Sequence, residues 1–264
     1  MKRILNYVLL ASMLVMGHSY AAELPATVHY AQVVELGVPV SGVVSHVHVQ
    51  NGQRVEQGAL MLELDEIPFM AELNHSEAEL RRLAAERDEM RKALDRDLEL
   101  YDRMVLSTVD LDRRKLEFVQ ADSRYQAEQA QLALAKYHYA GSKLHAPFNG
   151  MVISNNAYPG MAVHVELKPP VLFLYANTEQ FSVEADTTAD KIADLSIGDS
   201  MTVRAGGQDY SGKINSINLT AEGHSLSQPS RYRVKVLLSG AAKLMPGQAA
   251  RISVEKTEDR QPRQ

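Results

Sequence analysis

Between Pro68 and Gly141 the chain holds neither proline nor glycine, so nothing in that stretch forces a helix to break. Leu111, Phe118, Tyr125, Leu132 and Tyr139 recur at every seventh position, the pattern that keeps one stripe of a helix against a partner. Upstream, Leu73, Leu80, Leu94 and Tyr101 share a second such spacing, with Leu83, Met90 and Met104 at the complementary position. Ser76, Arg87 and Asp97 interrupt that upstream seam. Ser107-Thr108-Val109-Asp110 has the spacing of a capping box, which predicts that a second helix starts at Ser107 or Thr108. Residues 67–140 therefore read as a long antiparallel coiled-coil hairpin. Arms of about 35 residues, rising ~1.5 Å per residue, would extend on the order of 50 Å, more than a compact domain requires.

The first residues have the three parts of a secretory signal: basic Lys2 and Arg3, apolar Ile4 to Met16, and small residues in Ser19-Tyr20-Ala21. A signal peptide over 1–21 and a mature chain from Ala22 are expected. The alternative, an uncleaved anchor, is disfavoured because the apolar run falls short of the roughly 20 residues of a spanning helix. The chain has no cysteine, which excludes disulfides, thiolate metal sites and a lipid-modified cysteine. A net charge of -5 gives no electrostatic footprint for nucleic acid.

What flanks the hairpin is a repeat. Residues 22–40 read as extended chain leading into a first β piece, 41–66; a second piece, 141–176, follows the hairpin. At one offset Gly42-Val43-Val44 falls on Gly150-Met151-Val152, Gly52 on Gly160 and Val55 on Val163. After an insertion containing Pro169 and Pro170, Leu60 and Leu62 meet Leu172 and Leu174. Two related half-sheets would pack face to face as a small β-sandwich, since neither could bury its apolar face alone. Residues 177–256 read as strands separated by one short helix, with Gly198, Gly212 and Gly247 at turns, and 257–264 as a polar, disordered tail.

The repeat resembles the two halves of a biotinyl/lipoyl domain. Carriers of that family display a cofactor-bearing lysine on the turn between the halves; here the helical hairpin replaces that turn, so no cofactor is expected. Split halves, GVVSHVHVQNGQRVEQGALMLELD and KLHAPFNGMVI with YPGMAV, stand around a hairpin, behind a signal peptide and ahead of a further β block. In that order they resemble the periplasmic adaptors, or membrane fusion proteins, of bacterial efflux and secretion systems. The resemblance implies an elongated chain of mixed α and β structure: a lipoyl-like β-sandwich split by a coiled-coil hairpin, then a β-barrel domain. It implies a non-enzymatic periplasmic subunit associated with the inner membrane. That subunit would bridge an inner-membrane transporter, of RND type before ABC type, to an outer-membrane channel, as a homo-oligomeric ring of six. Adaptors that engage such channels carry an arginine, a leucine four residues on and a serine seven beyond that near the hairpin tip; Arg96, Leu100 and Ser107 match those spacings. Arg96 and Leu100 also lie off the seam, one turn apart, on a shared outward face. The membrane-proximal domain that many pump-associated adaptors add after the barrel has no counterpart in 257–264.

Rival chemistry is sparse. His46 and His48 sit two apart on a predicted strand and could face one side, but no third metal ligand is identifiable, so no metal site is expected. The methionines are scattered, and Met90 and Met104 already have seam positions, where gap-filling is the expected role. Asp186 and Asp190 read as starting the short helix. No nucleophile motif, phosphate-cradling loop or carboxylate pair stands out. The remaining alternatives are a biotin- or lipoate-type carrier subunit and a free-standing envelope protein whose hairpin only self-associates.

Overall fold

A computed structural model of the chain describes residues 22–166, 170–193, 195–218, 231–239 and 244–254. The expected signal peptide, 1–21, and the tail, 257–264, lie outside them. The chain divides into two compact units, one of Val33–Ala176 and one of the residues on either side of it.

In chain order the strands are β1 (Ala22–Tyr30), β2 (Val33–Leu36), β3 (Gly42–Val47), β4 (Arg54–Val55) and β5 (Leu60–Leu64). Helices α1 (Ile67–Asp102) and α2 (Thr108–Gly141) follow, then β6 (Lys143–His145), β7 (Gly150–Asn155), β8 (Ala162–Val163) and β9 (Phe173–Asn177). The first unit holds two four-stranded sheets, β2-β9-β7-β4 and β6-β5-β3-β8. The repeat does not make one half-sheet from each half, as its sequence suggested. The halves exchange strands: β4 of the first pairs with β7 of the second, Val55 opposite Gly150, and β3 pairs with β8, Gly42 opposite Val163. These are the same two positions of the repeat, met twice. Outside the ladders the Gly52 N–H donates to the Val152 carbonyl at 2.7 Å, and its counterpart Gly160 donates to Val44 at 2.8 Å.

The exchange follows from burial. Val44, Val55, Met61, Leu62 and Leu64 share one core with Val152, Val163, Leu172, Phe173 and Tyr175. The Tyr175 ring is wholly buried, and its hydroxyl lies 3.0 Å from the Val55 carbonyl and 2.9 Å from that of Phe148. Burial pushes that hydroxyl above the ordinary tyrosine range. The segment 22–40 is more than a lead-in. Its Val33–Leu36 is an edge strand on β9, Val38 and Val40 are buried in the same core, and β1 belongs to the other unit.

That other unit is a closed six-stranded barrel, ordered β1-β10-β13-β12-β11-β14. Its later elements are β10 (Gln180–Thr188), the single turn α3 (Ala189–Ile192), β11 (Ser200–Ala205), β12 (Gln208–Asn218), β13 (Arg231–Ser239) and β14 (Ala249–Val254). Alternation fills the inside: Leu24, Val28, Val183, Val203, Ile214, Val236 and Ile252 point inward. The N-terminal strand closes the barrel, pairing with β14 from Ala22↔Val254 and with β10 at Thr27↔Glu184. Closure leaves no edge for pairing with another chain.

The repeat-equivalent glycines tolerate a side chain unequally. At Gly150 a Cβ would sit inside contact distance of the Ala176 carbonyl oxygen and 2.8 Å from the Tyr175 ring, whereas at Gly42 it would meet the movable tip of Leu64 at 3.0 Å. Gly150→Ala is expected to lose about 3 kcal/mol by overpacking against backbone and Gly42→Ala about 1 kcal/mol, read by urea unfolding; equal losses would contradict this placement.

Candidate functional site: the hairpin tip

Helices α1 and α2 lie antiparallel against each other, 36 and 34 residues long. The Asp65 carboxylate accepts from the Ile67 N–H at the first helix's start, with Pro68 in its first turn, where a missing N–H costs nothing. Phe69, in the first turn of α1, is buried in the core of the sheets, whereas Ser76, Leu83 and Leu94 are buried along the helix pair with Leu111, Ala121 and Ala135, and Leu80, Met90, Phe118, Tyr125 and Leu132 are half-buried.

Residues that interrupt the apolar seam turn out to carry bonds across it. Arg114 Nε donates to the Asp97 carboxylate at 2.8 Å, and the Arg87 guanidinium lies 4.2 Å from the centre of the Tyr125 ring. Arg124 reaches Glu86 at 3.0 Å and His138 reaches Glu72 at 3.4 Å. All four pairs agree on one register. That register sets buried Ser76 level with buried Ala135, two small residues that let the helices approach. Ala121 and Ala135 escaped sequence reasoning although each stands three residues after a seam residue, Phe118 and Leu132.

The seam opens toward the tip, where Leu100 and Tyr101 are exposed. The Val105 N–H donates to the Leu100 carbonyl at 2.9 Å and the Met104 N–H to that of Tyr101 at 2.8 Å. This is the Schellman ending of a helix, which needs a left-handed residue where Met104 stands. Met104 has φ 60°, and among the described residues it is the one non-glycine with positive φ. Heptad spacing assigns Met104 a gap-filling seam position; it is instead 94% exposed, because the helix ends before it. Val105 and Val109, 72% and 77% exposed, complete an apolar crown.

Ser107 caps α2, its hydroxyl accepting from the Asp110 N–H at 3.2 Å and donating to the Asp110 carboxylate at 2.7 Å. Arg96 is exposed on the shaft, 3.7 Å from Glu89, and Leu100 lies one turn nearer the tip. Arg96 and Leu100 therefore stand on the last turns of α1, whereas Ser107 lies within the crown, between Val105 and Val109, at the start of α2. The outward sides of the two helices differ. Both carry paired charges, such as Arg82 with Glu79 and Glu86 on α1 and Arg113 with Asp110 and Lys115 with Asp112 on α2, but α2 also exposes Leu116, Val119, Leu134 and Tyr137 along its length.

Elsewhere His46 and His48 do share a face, and the Glu63 carboxylate on β5 lies 3.9 Å and 3.5 Å from them. They act as partners of that carboxylate; among the described residues no group of three such side chains is arranged to hold a metal ion. Asp186, expected to start the short helix, lies on β10 and pairs with Arg233 at 3.0 Å, while Asp190 does stand in the first turn of α3.

A family model described as RND MFP, barrel-sandwich hybrid domain, matches residues 32–170, which takes in the hairpin and every strand of the two sheets except β9. The chain belongs to the RND membrane fusion proteins. Membership of a family of membrane fusion proteins sets this chain apart from enzymes. It is similar to Multidrug resistance protein MdtA of Pectobacterium atrosepticum, 31% identical over 126 residues, 48% of this chain and 31% of that protein. The matched stretch thus spans about a third of that relative's length. In fold the membrane fusion protein is similar to Spr0693 of Streptococcus pneumoniae R6, a membrane fusion protein (TM-score 0.69, 16% identity, 89% of this chain and 99% of that one). It is also similar to a MacA–MexA chimera that carries the Pseudomonas aeruginosa MexA α-hairpin domain (TM-score 0.65, 19% identity, 89% and 82%).

Two substitutions test the tip's local physics. Met104→Gly relieves a left-handed conformation that β-carbons resist and is expected to raise stability by about 0.5–1 kcal/mol. Ser107→Ala removes a cap and costs about 1 kcal/mol, which Ser107→Asn restores. Thermal unfolding by helix circular dichroism reads both, and a destabilising Met104→Gly would refute the left-handed assignment.

Proposed function

We propose that this membrane fusion protein is a periplasmic adaptor, associated with the inner membrane, that connects an RND-type inner-membrane transporter to an outer-membrane channel. The observation that carries the reading is the pair of long helices ending in an apolar turn with no partner of its own among the described residues. In this reading α1 and α2 form a coiled-coil spar of about 50 Å at ~1.5 Å rise per residue, and the strand-exchanged sheets are the split lipoyl-type module that anchors it. Crown and shaft then meet the channel's helical ends, Leu100 by apolar contact, Arg96 and Ser107 by hydrogen bonds that set register. The adaptor does no chemistry; the transporter supplies the energy.

Copies assemble side by side in a ring, six in number by family resemblance. The exposed apolar side of α2 supports such lateral packing, since an isolated helix gains nothing from presenting Leu116 and Val119 to water. An ABC-type exporter is the second reading for the transporter. The carrier reading is not favoured, because the turn that would display a modified lysine is occupied by the helices.

Photo-cross-linking from the hairpin in intact envelopes, with the partner identified by mass, tests the bridge. Leu100→Asp is expected to abolish the channel adduct while leaving helix content and secretion unchanged; an undiminished adduct would sink the docking role. Leu116→Glu with Val119→Glu is expected to lower self-association in sedimentation at least about tenfold, the factor that a 1.4 kcal/mol loss of contact gives.

A further inference from the structure

Among the described residues, the most exposed thioether stands at the centre of the surface that the proposed docking uses. Met61 and Met201 are buried, Met90, Met151 and Met161 half-buried, and of the more open methionines Met104 is 94% exposed against 73% for Met245 and 42% for Met70. The backbone at Met104 is held by its own N–H and that of Val105, bonded to Tyr101 and Leu100, so the turn does not depend on what the side chain carries. A polar atom added to the sulfur would meet water and would disturb no core.

We propose that Met104 is a site of reversible oxidation that switches the tip from apolar to polar. The Sδ lone pair attacks one oxygen of hydrogen peroxide. An S–O bond forms as the O–O bond breaks, sulfur giving up two electrons, and the attacked oxygen passes its proton to the departing hydroxide, which leaves as water. The product, methionine sulfoxide, is polar and chiral, and a reductase of the methionine sulfoxide class reverses it. Beside Val105 and Val109 the new S=O dipole breaks the continuity of the crown. A partner pocket shaped for a thioether would have to bury an oxygen without a donor, which is unfavourable. The switch half of this inference rests on the docking proposed above; the modification half does not.

The full chain treated with dilute hydrogen peroxide and followed by peptide mass spectrometry decides the modification. Met104 is expected to gain oxygen first, ahead of Met245 and Met70, with the melting temperature unchanged within about 1 °C. Faster oxidation at Met245 or Met70, or a fall in melting temperature that tracks oxidation at Met104, would overturn it. For the switch, a photo-cross-linker at Asp112 reports the channel adduct in intact envelopes before and after peroxide. Wild type should lose the adduct on oxidation, and Met104→Leu, apolar but unable to form a sulfoxide, should keep it. An adduct that survives in oxidised wild type refutes the switch. No adduct from untreated wild type or from Met104→Leu refutes the docking reading and the switch with it, while the mass data still decide the site.

Discussion

Backbone hydrogen bonds between the halves hold the first unit together in a way that neither half of the repeat could manage, and two of them are equivalent: Gly52 to Val152, and Gly160 to Val44. Each joins a turn of one half to a strand of the other, so the sheets exist only once the halves have met. That meeting fixes the ends of the hairpin. β5 leads into α1 and α2 leads into β6, and these two strands pair, Leu62 opposite Leu144 and Glu63 opposite Lys143. At the root the Leu64 N–H donates to the Ser142 carbonyl at 2.8 Å, and Lys143 Nζ stands 3.1 Å from Glu66. Neighbouring strands lie about 4.8 Å apart and packed helices about 8–10 Å, so the strand pair holds the helices at their closest useful separation. Gly141 belongs to the same joint, because a Cβ there would press on Pro39 at 2.8 Å.

From that root the seam sets how the helices run. A purely apolar stripe could slide by a heptad at little cost, since each register would bury much the same area. Asp97 with Arg114, Arg87 with Tyr125 and Glu72 with His138 remove that freedom, because a slip leaves partly buried charges without partners. Their worth lies in register more than in stability, as expected of ion pairs that keep contact with water.

Helix extent, the capping role of Ser107 and the equivalence of Gly42 with Gly150 were legible in the sequence because each rests on spacing along one segment. Strand exchange was not. Alternation says that Val44 and Val152 face inward, but the pattern is the same whichever half supplies the neighbouring strand. The barrel membership of Ala22–Tyr30 was hidden for the same reason: its partners, β10 and β14, lie far along the chain. Met104 was misplaced because heptad counting continues past a helix end, and no glycine marked the left-handed residue. Polar seam positions looked like defects until Arg114 and Tyr125 were set opposite them.

The contrast between the two outward helix faces bears on what the hairpin is for. On α1 the charges satisfy one another within the helix, Arg82 with Glu79 at 2.6 Å and with Glu86 at 3.0 Å, which suits a surface left in water. α2 pairs charges in the same way, Arg113 with Asp110 and Lys115 with Asp112, but keeps Leu116, Val119, Leu134 and Tyr137 exposed as well. Hydrophobic burial is not what retains them in a single copy, since none of the four lies on the seam. Lateral contact between copies would remove them from water without asking the seam to change. The tip follows the same logic: a glycine at Met104 would suit the turn better, and the side chain that stands there is turned almost wholly outward. On the adaptor reading, the hairpin's stability comes from its root and seam, while the residues least favourable to an isolated copy lie where other molecules would meet it.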